Sequence, residues 1–218
     1  MTLKQPFMTQ AKPGRSERQL SPEKTEAILE GSMQEFLARG YAATSMDRVA
    51  STAKVSKATV YSHFKDKEGL FGALIQRLVR QKFQAIFGEA DDRMLQLPPQ
   101  VVLRNFANRA LDLGATEPQF LNFMRLIIGE SGRFPQLARA FVRNIEQNAF
   151  SHLCHYFTHC PYLSHLADPE ATARIFVGAI VHYNIVQEML HGKDIMPMSR
   201  DRIINGLIDL IGVDADMG

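Results

Sequence analysis

The sequence predicts an all-α protein with a small N-terminal helical domain and a larger C-terminal helical domain. Three observations support this prediction. Apolar residues recur at helical spacing along most of the 218 residues, and no stretch alternates apolar and polar residues for long enough to indicate a strand. Proline and glycine separate the periodic stretches. Several of these stretches begin with Ser or Asp, which are favoured helix caps.

The composition is that of a globular protein, since 45% of the residues are hydrophobic. Residues 1–67 carry eleven Lys or Arg and seven Asp or Glu, whereas the rest of the chain is net −2. This asymmetry indicates a nucleic-acid-binding N-terminal part. No apolar segment resembles a signal peptide or is long enough for a membrane span, and two cysteines are too few for a disulfide framework. A cytoplasmic protein without a membrane partner is expected.

Residues 1–20 are rich in Gln, Lys, Arg, Pro and Ser, and they are expected to form a flexible basic arm. Such an arm can reach a minor groove or remain a plain tail. The first helix is predicted to begin at Ser21-Pro22, a cap followed by proline, and to run to about Arg39. Gly40 then ends it, because glycine readily adopts the left-handed conformation that follows many helices.

Residues 44–67 contain two short helical patterns joined by a tight turn. Ser45 can cap the first pattern and Ser56 the second, and the turn falls at Lys54 and Val55. Two caps this close leave no room for a long connection, so the helices must cross steeply, as in a helix-turn-helix. The predicted inward residues are Val49, Ala50 and Ala53 in the first helix and Val60 and Phe64 in the second.

The second of these helices, from about Lys57 to Phe64, is polar on its outward face. From Arg48 to Lys67 there are five basic side chains against the single acid Asp66. Such a cationic stretch favours approach to phosphates by releasing counterions, although a solvated helix face is the common alternative. The coincidence of caps, basic side chains and paired helices predicts binding to double-stranded DNA. The predicted DNA-binding residues are Lys57, Thr59 and Tyr61 in the major groove, Ser45, Arg48, His63, Lys65 and Lys67 on phosphates, and Ala58 beside them.

A long ungapped pattern runs from Glu23 to Leu74. Its residues are Ile28-Leu29, Phe36, Gly40-Tyr41, Thr44-Ser45, Val49-Ala50, Val55-Ser56-Lys57-Ala58-Thr59-Val60-Tyr61, His63-Phe64, Lys67-Glu68 and Leu70. This pattern resembles the DNA-binding domain of the tetracycline-repressor (TetR/AcrR) family of transcriptional regulators. One departure is Lys54, where the family usually has glycine; a left-handed conformation would cost about 1 kcal/mol there. We therefore predict a helix-turn-helix domain at residues 21–67 and a ligand-binding and dimerisation domain at residues 68–218.

Asp66 can cap the next helix, which is predicted to run to about Phe87 with a broad apolar stripe. At 1.5 Å per residue it spans roughly 30 Å, which is enough to join two domains. Proline and glycine divide the remainder of the chain. The predicted elements are a loop at 91–100 and helices at Val101–Leu113 before Gly114, after Pro118, from Pro135 to Pro161, at Glu170–Leu190 and at Ser199–Ile211.

The segment RLIIGESGRFPQLARAF at residues 125–141 is similar to the C-terminal domain of AefR-like members of the same family. Phe134 precedes Pro135 as a helix-entry residue, and Glu130 and Arg133 can pair across the kink between helices. We interpret this segment as a rigid corner rather than as a binding site.

His152, His155 and His159 are spaced to share one helix face, and Cys154 and Cys160 lie nearby. Imidazole and thiolate are common zinc ligands. The two cysteines are about 240° apart around a helix of 3.6 residues per turn, so both cannot join one closed site. Partly exposed histidines are therefore predicted, and no metal is assigned.

Aromatic and Met side chains at helical spacing are usually core residues, yet the family resemblance implies a small-molecule cavity among the C-terminal helices. His182, Tyr183 and Asn184 interrupt an otherwise apolar helix and could orient a ligand, and Met189 is a further lining candidate. The predicted ligand-binding residues are Phe106, Phe120, Phe123, Met124, Phe141, Phe150, His182 and Tyr183.

The last two predicted helices carry more apolar surface than one buried face needs, and Gly178-Ala179 would allow another helix to approach closely. One buried helix could explain this pattern. The family resemblance favours a four-helix bundle formed with a second copy of the chain across a two-fold axis.

The sequence contains no nucleophile elbow, phosphate-binding loop or zinc-protease helix motif, so an enzyme is not expected and no cofactor is assigned. The combined prediction is a ligand-responsive repressor that binds a palindromic operator as a homodimer. A small apolar or amphipathic effector would release it from DNA. An activator, a ligand-independent DNA-binding protein, a metal-responsive regulator and a helical enzyme remain alternatives.

Overall fold

A computed structural model describes residues 21–87, 92–145, 147 and 150–212 of the chain. These residues form ten α-helices, short 3-10 turns and π-helical stretches, one at residues 147 and 150 and one near the end of α9, and none of them lies in a strand. The all-α prediction is confirmed. The predicted basic arm at residues 1–20 lies outside the described residues. Within the described ranges no helix is long and apolar enough to cross a membrane.

The N-terminal helices follow the predicted order. They are α1 (Pro22–Ala43), α2 (Met46–Thr52), α3 (Lys57–His63) and α4 (Lys67–Phe87). The Ser21 side chain caps α1, and Gly40 interrupts it with a φ of 77°. The predicted end at Gly40 is therefore a break, after which one more turn runs to Ala43. Thr44 fixes this turn because its hydroxyl donates to the carbonyl of Gly40 at 2.9 Å.

Six helices make up the rest of the described chain. They are α5 (Pro99–Thr116), α6 (Pro118–Glu130), α7 (Pro135–Ile145), α8 (Ser151–His159), α9 (Pro169–Tyr183) and α10 (Arg200–Leu210). The predicted loop at 91–100 contains a 3-10 turn, Asp92–Gln96. A π-helical segment, Asn184–Met189, continues α9, so the helix predicted to reach Leu190 changes its winding near its end.

The first hydrophobic core lies among α1 to α4 and is closed by α6 and α7. Phe36 and Phe71 meet edge-to-face, with ring centroids 5.0 Å apart. Phe123 of α6 packs 5.4 Å from Phe71, and Leu137 of α7 is buried in the same cluster. The core therefore crosses the predicted domain boundary at residues 67 and 68, since helices from both sides bury side chains in it.

The second hydrophobic core lies among α5, α8, α9 and α10. Phe176 of α9 is fully buried between Phe106 of α5 and Phe157 of α8, with centroid distances of 5.7 and 6.1 Å. Ile204 of α10 is also fully buried. The apolar faces of these C-terminal helices therefore pack against one another.

Gly114 does not end a helix, in contrast to the prediction. It lies inside α5 and is buried, and a Cβ added there would come within 2.2 Å of Asn184 Oδ1. The glycine is needed for the close approach of the segment after α9, because any larger side chain would collide with Asn184. Its role is packing rather than termination.

The helix predicted from Pro135 to Pro161 is not a single α-helix, because residues 147 and 150 within it are π-helical. In the structure α7 ends at Ile145 and α8 begins at Ser151. The reason is the division of the core: α7 packs on α4 in the first core, whereas α8 packs on α9 in the second. Periodicity along the sequence does not reveal which core each part of such a helix joins.

Candidate nucleic-acid interface and ligand cavity

The centre of the candidate nucleic-acid interface is α3, a seven-residue helix. The Ser56 hydroxyl accepts a hydrogen bond from the Thr59 amide at 3.1 Å, as the predicted cap requires. Val60 is fully buried and fastens α3 to the first core. The opposite face points outward, and Tyr61 is 52% exposed. A polar edge is therefore presented to solvent from a rigid support.

The second helix of the pair, α2, is capped in the same way, since the Ser45 hydroxyl accepts from the Arg48 amide at 3.3 Å. Only residues 53–56 separate α2 from α3. Most of the predicted DNA-contacting residues are exposed, whereas Thr59 is half-buried and its hydroxyl is 2.8 Å from Ser56 Oγ. The exposed residues are Ser45, Arg48, Lys57, Ala58, Tyr61 and Lys65.

Lys57 is not free on this surface, because it forms an ion pair with Asp47 of α2. Both side chains are exposed, and ion pairs of this kind stabilise a fold by only about 0–1 kcal/mol. The pair can therefore exchange for a phosphate or a base edge at small cost. This pair was not predicted from the sequence, although the sequence shows that Asp47 is an acidic residue in the first turn of α2.

The position of His63 does not fit the predicted phosphate contact. Its Nδ1 lies 2.8 Å from the Thr59 carbonyl, which can only accept, so Nδ1 carries the proton. Its Nε2 is buried and has no hydrogen-bond partner among the described residues. Neither nitrogen points toward solvent, so the imidazole instead stabilises the end of α3 through its hydrogen bond to Thr59.

Lys67 also has a different role from the predicted phosphate contact. Its ammonium donates hydrogen bonds to the carbonyls of Tyr41, Ala42 and Thr44 at 2.8, 3.2 and 3.0 Å, and it lies 4.4 Å from the Tyr41 ring centroid. Burial lowers the pKa of Lys67, while the Glu130 carboxylate opposes that shift. With three donors used, the side chain ties the start of α4 to the turn after α1.

Lys54 adopts a left-handed conformation, with a φ of 56°. Its amide donates to the Ser51 carbonyl at 3.2 Å, and the Val55 amide donates to the Ala50 carbonyl at 3.0 Å, so the turn closes α2. The family's usual glycine would adopt this angle without strain. The exposed lysine places another cation between α2 and α3.

A cavity of about 200 Å³ lies among helices α5 to α9 and the π-helical segment Asn184–Met189. Its walls are almost wholly apolar, with Asn184 as the single polar side chain among the described lining residues. Five of the predicted ligand-binding residues line it. They are Phe106, Phe120, Met124, Phe141 and Phe150.

Three predicted ligand-binding residues lie elsewhere. Phe123 is buried in the first core against Phe71, because the residues of α6 that face the cavity are one helical step away. His182 is exposed to solvent. Tyr183 is buried in the second core, where it borders an open groove near Gln187 rather than the cavity.

The π-helical segment shapes one wall of the cavity. It carries Asn184, Ile185 and Met189, all of which line the cavity. Arg125 of α6 holds its end by donating to the carbonyl of Met189 at 2.7 Å. The cavity wall on this side is thereby joined to α6.

The histidines of α8 are exposed, as predicted. The rings of His155 and His159 stack with centroids 4.1 Å apart, and His159 Nδ1 lies 2.9 Å from the His155 carbonyl. Within the described ranges, no three His, Cys, Asp or Glu side chains are placed to hold a metal ion. Cys160 is buried, with its Sγ 3.6 Å from the Tyr156 hydroxyl oxygen.

Two capped helices joined by a tight turn, with a cationic polar edge on the second, define a helix-turn-helix DNA-binding protein of the transcription-regulator class. The chain belongs to the tetracycline-repressor family. The family model for bacterial regulatory proteins of the tetR family matches residues 28–74, and the model for the C-terminal domain of AefR-like transcriptional repressors matches residues 101–211. Both resemblances found in the sequence are confirmed.

Relatives and solved structures agree with this assignment. The chain is 36% identical over 92 residues to the HTH-type transcriptional regulator YhgD of Bacillus subtilis, covering 42% of this chain and 44% of YhgD. The Flavonoid-responsive Regulator FrrA is 27% identical with a TM-score of 0.71, covering 88% of this chain and 96% of FrrA. A TetR-family regulator from Mesorhizobium loti shares the fold at 24% identity, with a TM-score of 0.70 and coverage of 87% and 98%. The chain thus spans less than half the length of YhgD.

Proposed function

We propose that the protein is a homodimeric transcriptional repressor that binds a palindromic operator and is released by a small apolar or amphipathic effector. The observation that carries the proposal is the exposed polar edge of α3, held on the first core by the fully buried Val60. Lys57, Thr59 and Tyr61 would contact base edges, and Ser45, Arg48 and Lys65 would contact phosphates. A two-fold dimer would place two such helices on two half-sites.

The proposed dimer uses the outer faces of α9 and α10. Ile175 and Leu210 are 66% and 83% exposed, which is unusual for such large apolar side chains on neighbouring helices. Gly178 of α9 and Gly206 of α10 have open space beside them, so a helix of a second copy could approach closely. We propose that these two helices pair with their copies in a four-helix bundle.

The proposed effector response rests on the two faces of α6. Phe120 and Met124 line the cavity, whereas Phe123 and Ile127 pack in the first core beside the DNA-binding helices. A ligand that fills the cavity would therefore press on a helix that the DNA-binding unit also contacts. Support for a small-molecule response comes from FrrA, which is described as flavonoid-responsive. In this proposal residues 21–67 read DNA, and residues 68–218 bind the effector and the second copy.

Fluorescence anisotropy on a labelled fragment from the region upstream of the protein's own gene tests the proposal. We expect binding that weakens steeply with salt, because phosphate contacts release counterions. Tyr61→Ala should weaken binding by about 1–3 kcal/mol and leave the dimer intact. Tyr162→Ala is the matched control, because Tyr162 is also exposed but lies on the turn between α8 and α9. Equal losses in the two variants would contradict the assigned interface.

Regulation is tested separately, by repeating the anisotropy titration with a ligand that occupies the cavity. The effector should weaken operator binding, and the operator should weaken effector binding, by the same factor. The corresponding coupling free energy is typically about 1–3 kcal/mol. An unchanged operator affinity with the cavity occupied would show that the protein binds DNA without responding to a ligand.

A further inference from the structure

The cavity differs from a general apolar pocket in having one polar side chain at a fixed position. Every described lining residue except Asn184 is apolar or glycine. A carboxylate or ammonium placed there would lose its hydration and find no charged partner among those residues. The lining therefore selects for neutral ligands.

Asn184 has one of its polar atoms satisfied and the other unpaired. Its Nδ2 donates to the Ala110 carbonyl at 3.1 Å, and because a carbonyl can only accept, this bond fixes the orientation of the amide. The Oδ1 atom is buried and accepts no hydrogen bond from the described residues. An unpaired buried acceptor is costly, so a donor at this position would be favoured.

Gly114 determines where this acceptor lies. A Cβ at Gly114 would come within 2.2 Å of Asn184 Oδ1, so the oxygen rests directly against the glycine. Both residues line the cavity. Because Gly114 has no side chain, the Asn184 amide can occupy this part of the cavity wall.

The size of the cavity limits the ligand further. Sites for drug-sized ligands usually measure about 300–1,000 Å³, whereas an apolar cavity of about 150 Å³ is known to hold benzene. The present cavity measures about 200 Å³. It therefore accommodates roughly one ring with a short apolar substituent.

We propose that the effector is a neutral molecule of about one aromatic ring or equivalent bulk, which donates one hydroxyl or N–H hydrogen bond to Asn184 Oδ1. Its remaining surface is apolar and contacts side chains such as Phe106 and Phe141. This inference rests on the proposed function, because it assigns the chemical class of the effector and the residue that selects it.

The test compares three probes that differ at one position of the ring: 4-propylphenol, propylbenzene and 4-propylbenzoate. Their affinities for the full-length protein are measured by isothermal titration calorimetry at pH 7. In the unsubstituted protein the phenol should bind at least as tightly as the hydrocarbon, although water solvates it better. The benzoate should bind at least about 100-fold more weakly than the phenol, because its charge finds no partner.

Asn184→Leu removes the acceptor while keeping a similar volume. The ratio of phenol to hydrocarbon affinity should fall about tenfold in this variant, and propylbenzene binding should be retained. Gly114→Ala should have the same effect by displacing the amide. Gly129→Ala is its matched control, since Gly129 also lies in a helix but has open space beside it.

The inference is overturned if the ratio is unchanged in both variants, if the benzoate binds as well as the phenol, or if none of the three probes binds to protein that retains its operator. Failure of the proposed function gives a different result. In that case the phenol binds with the predicted dependence on Asn184, but the operator affinity measured by anisotropy does not change when the probe is present.

Discussion

At the scale of single residues, the turn between α2 and α3 combines strain with charge. Lys54 has a φ of 56°, a conformation that costs an L-residue other than glycine roughly 1–2 kcal/mol. The same side chain is exposed and adds a cation to the stretch that also carries Arg48 and Lys57, which is proposed to meet DNA. Lysine at this position therefore lowers the stability of the fold slightly and adds a positive charge to the proposed DNA-binding surface.

Lys54→Gly should raise the free energy of unfolding by about 0.5–1 kcal/mol, because relief of the left-handed strain exceeds the added entropy of the unfolded chain. Urea denaturation measures this gain. Lys54→Ala is the control, since it removes the same charge and retains the strain. Both variants should bind DNA more weakly, but only the glycine variant should be more stable; equal stabilities would contradict the strain.

Asp47 should lower the affinity of the protein for DNA of any sequence. It pairs with Lys57 and places a negative charge beside the surface that approaches phosphates. Asp47→Asn should raise the affinity for unrelated DNA several-fold at low salt and reduce the preference for the operator. Competition anisotropy with operator and random fragments measures both quantities.

Asp201→Asn provides the control for this change, because Asp201 occupies the same position in the first turn of α10 as Asp47 does in α2. The two substitutions should have similar small effects on helix stability. A comparable rise in DNA affinity in the Asp201 variant would mean that net charge alone, and not the pair with Lys57, is responsible.

Among helices and turns, the ammonium of Lys67 ties the start of α4 to the broken end of α1. Lys67→Met keeps the apolar stem but removes three hydrogen bonds to main-chain carbonyls. We expect a loss of about 1–3 kcal/mol in unfolding free energy, measured by urea denaturation. Lys65→Met, two residues earlier and exposed, should leave stability nearly unchanged and weaken DNA binding. A stable Lys67→Met variant would contradict the structural role.

The elements that could be predicted from the sequence are those with local signals. Ser21, Ser45 and Ser56 cap α1, α2 and α3 as predicted, because a cap is read from a few neighbouring residues. Gly114 was misread because its reason is a contact with Asn184, 70 residues away in the chain. The change of winding between α7 and α8 was missed for the same kind of reason, since the two helices join different cores.

In the candidate sites, too, local features could be predicted from the sequence, whereas features set by distant contacts could not. Helical spacing correctly predicted that Phe120 and Met124 line the cavity. It could not show that Phe123 faces the first core instead. The charge of Lys67 predicted a phosphate contact, yet three carbonyls from a distant turn use its donors. Residue type indicates what a side chain can do, whereas its direction is set by tertiary packing.

For the whole molecule, the exposed apolar faces of α9 and α10 predict the oligomeric state. Ile175→Glu should convert the proposed dimer into a monomer, because it buries a charge in an apolar contact. Size-exclusion chromatography with light scattering measures the mass. Val142→Glu is the control, since Val142 is 62% exposed but lies on α7, away from the proposed contact. A wild-type monomer, or dissociation of both variants, would contradict this interface.

The first core has a consequence for the construction of hybrid regulators. It holds Phe36 of α1 against Phe71 of α4, and Tyr41 of α1 against Phe134, the residue before α7, so both halves of the polypeptide contribute to one apolar interior. A graft that exchanges only residues 21–67 with those of a relative would replace one side of this interior and leave the other unmatched. Transplanting DNA specificity onto this chain therefore requires that the facing positions of α4 and α6, together with Phe134, be exchanged along with the donor's first three helices.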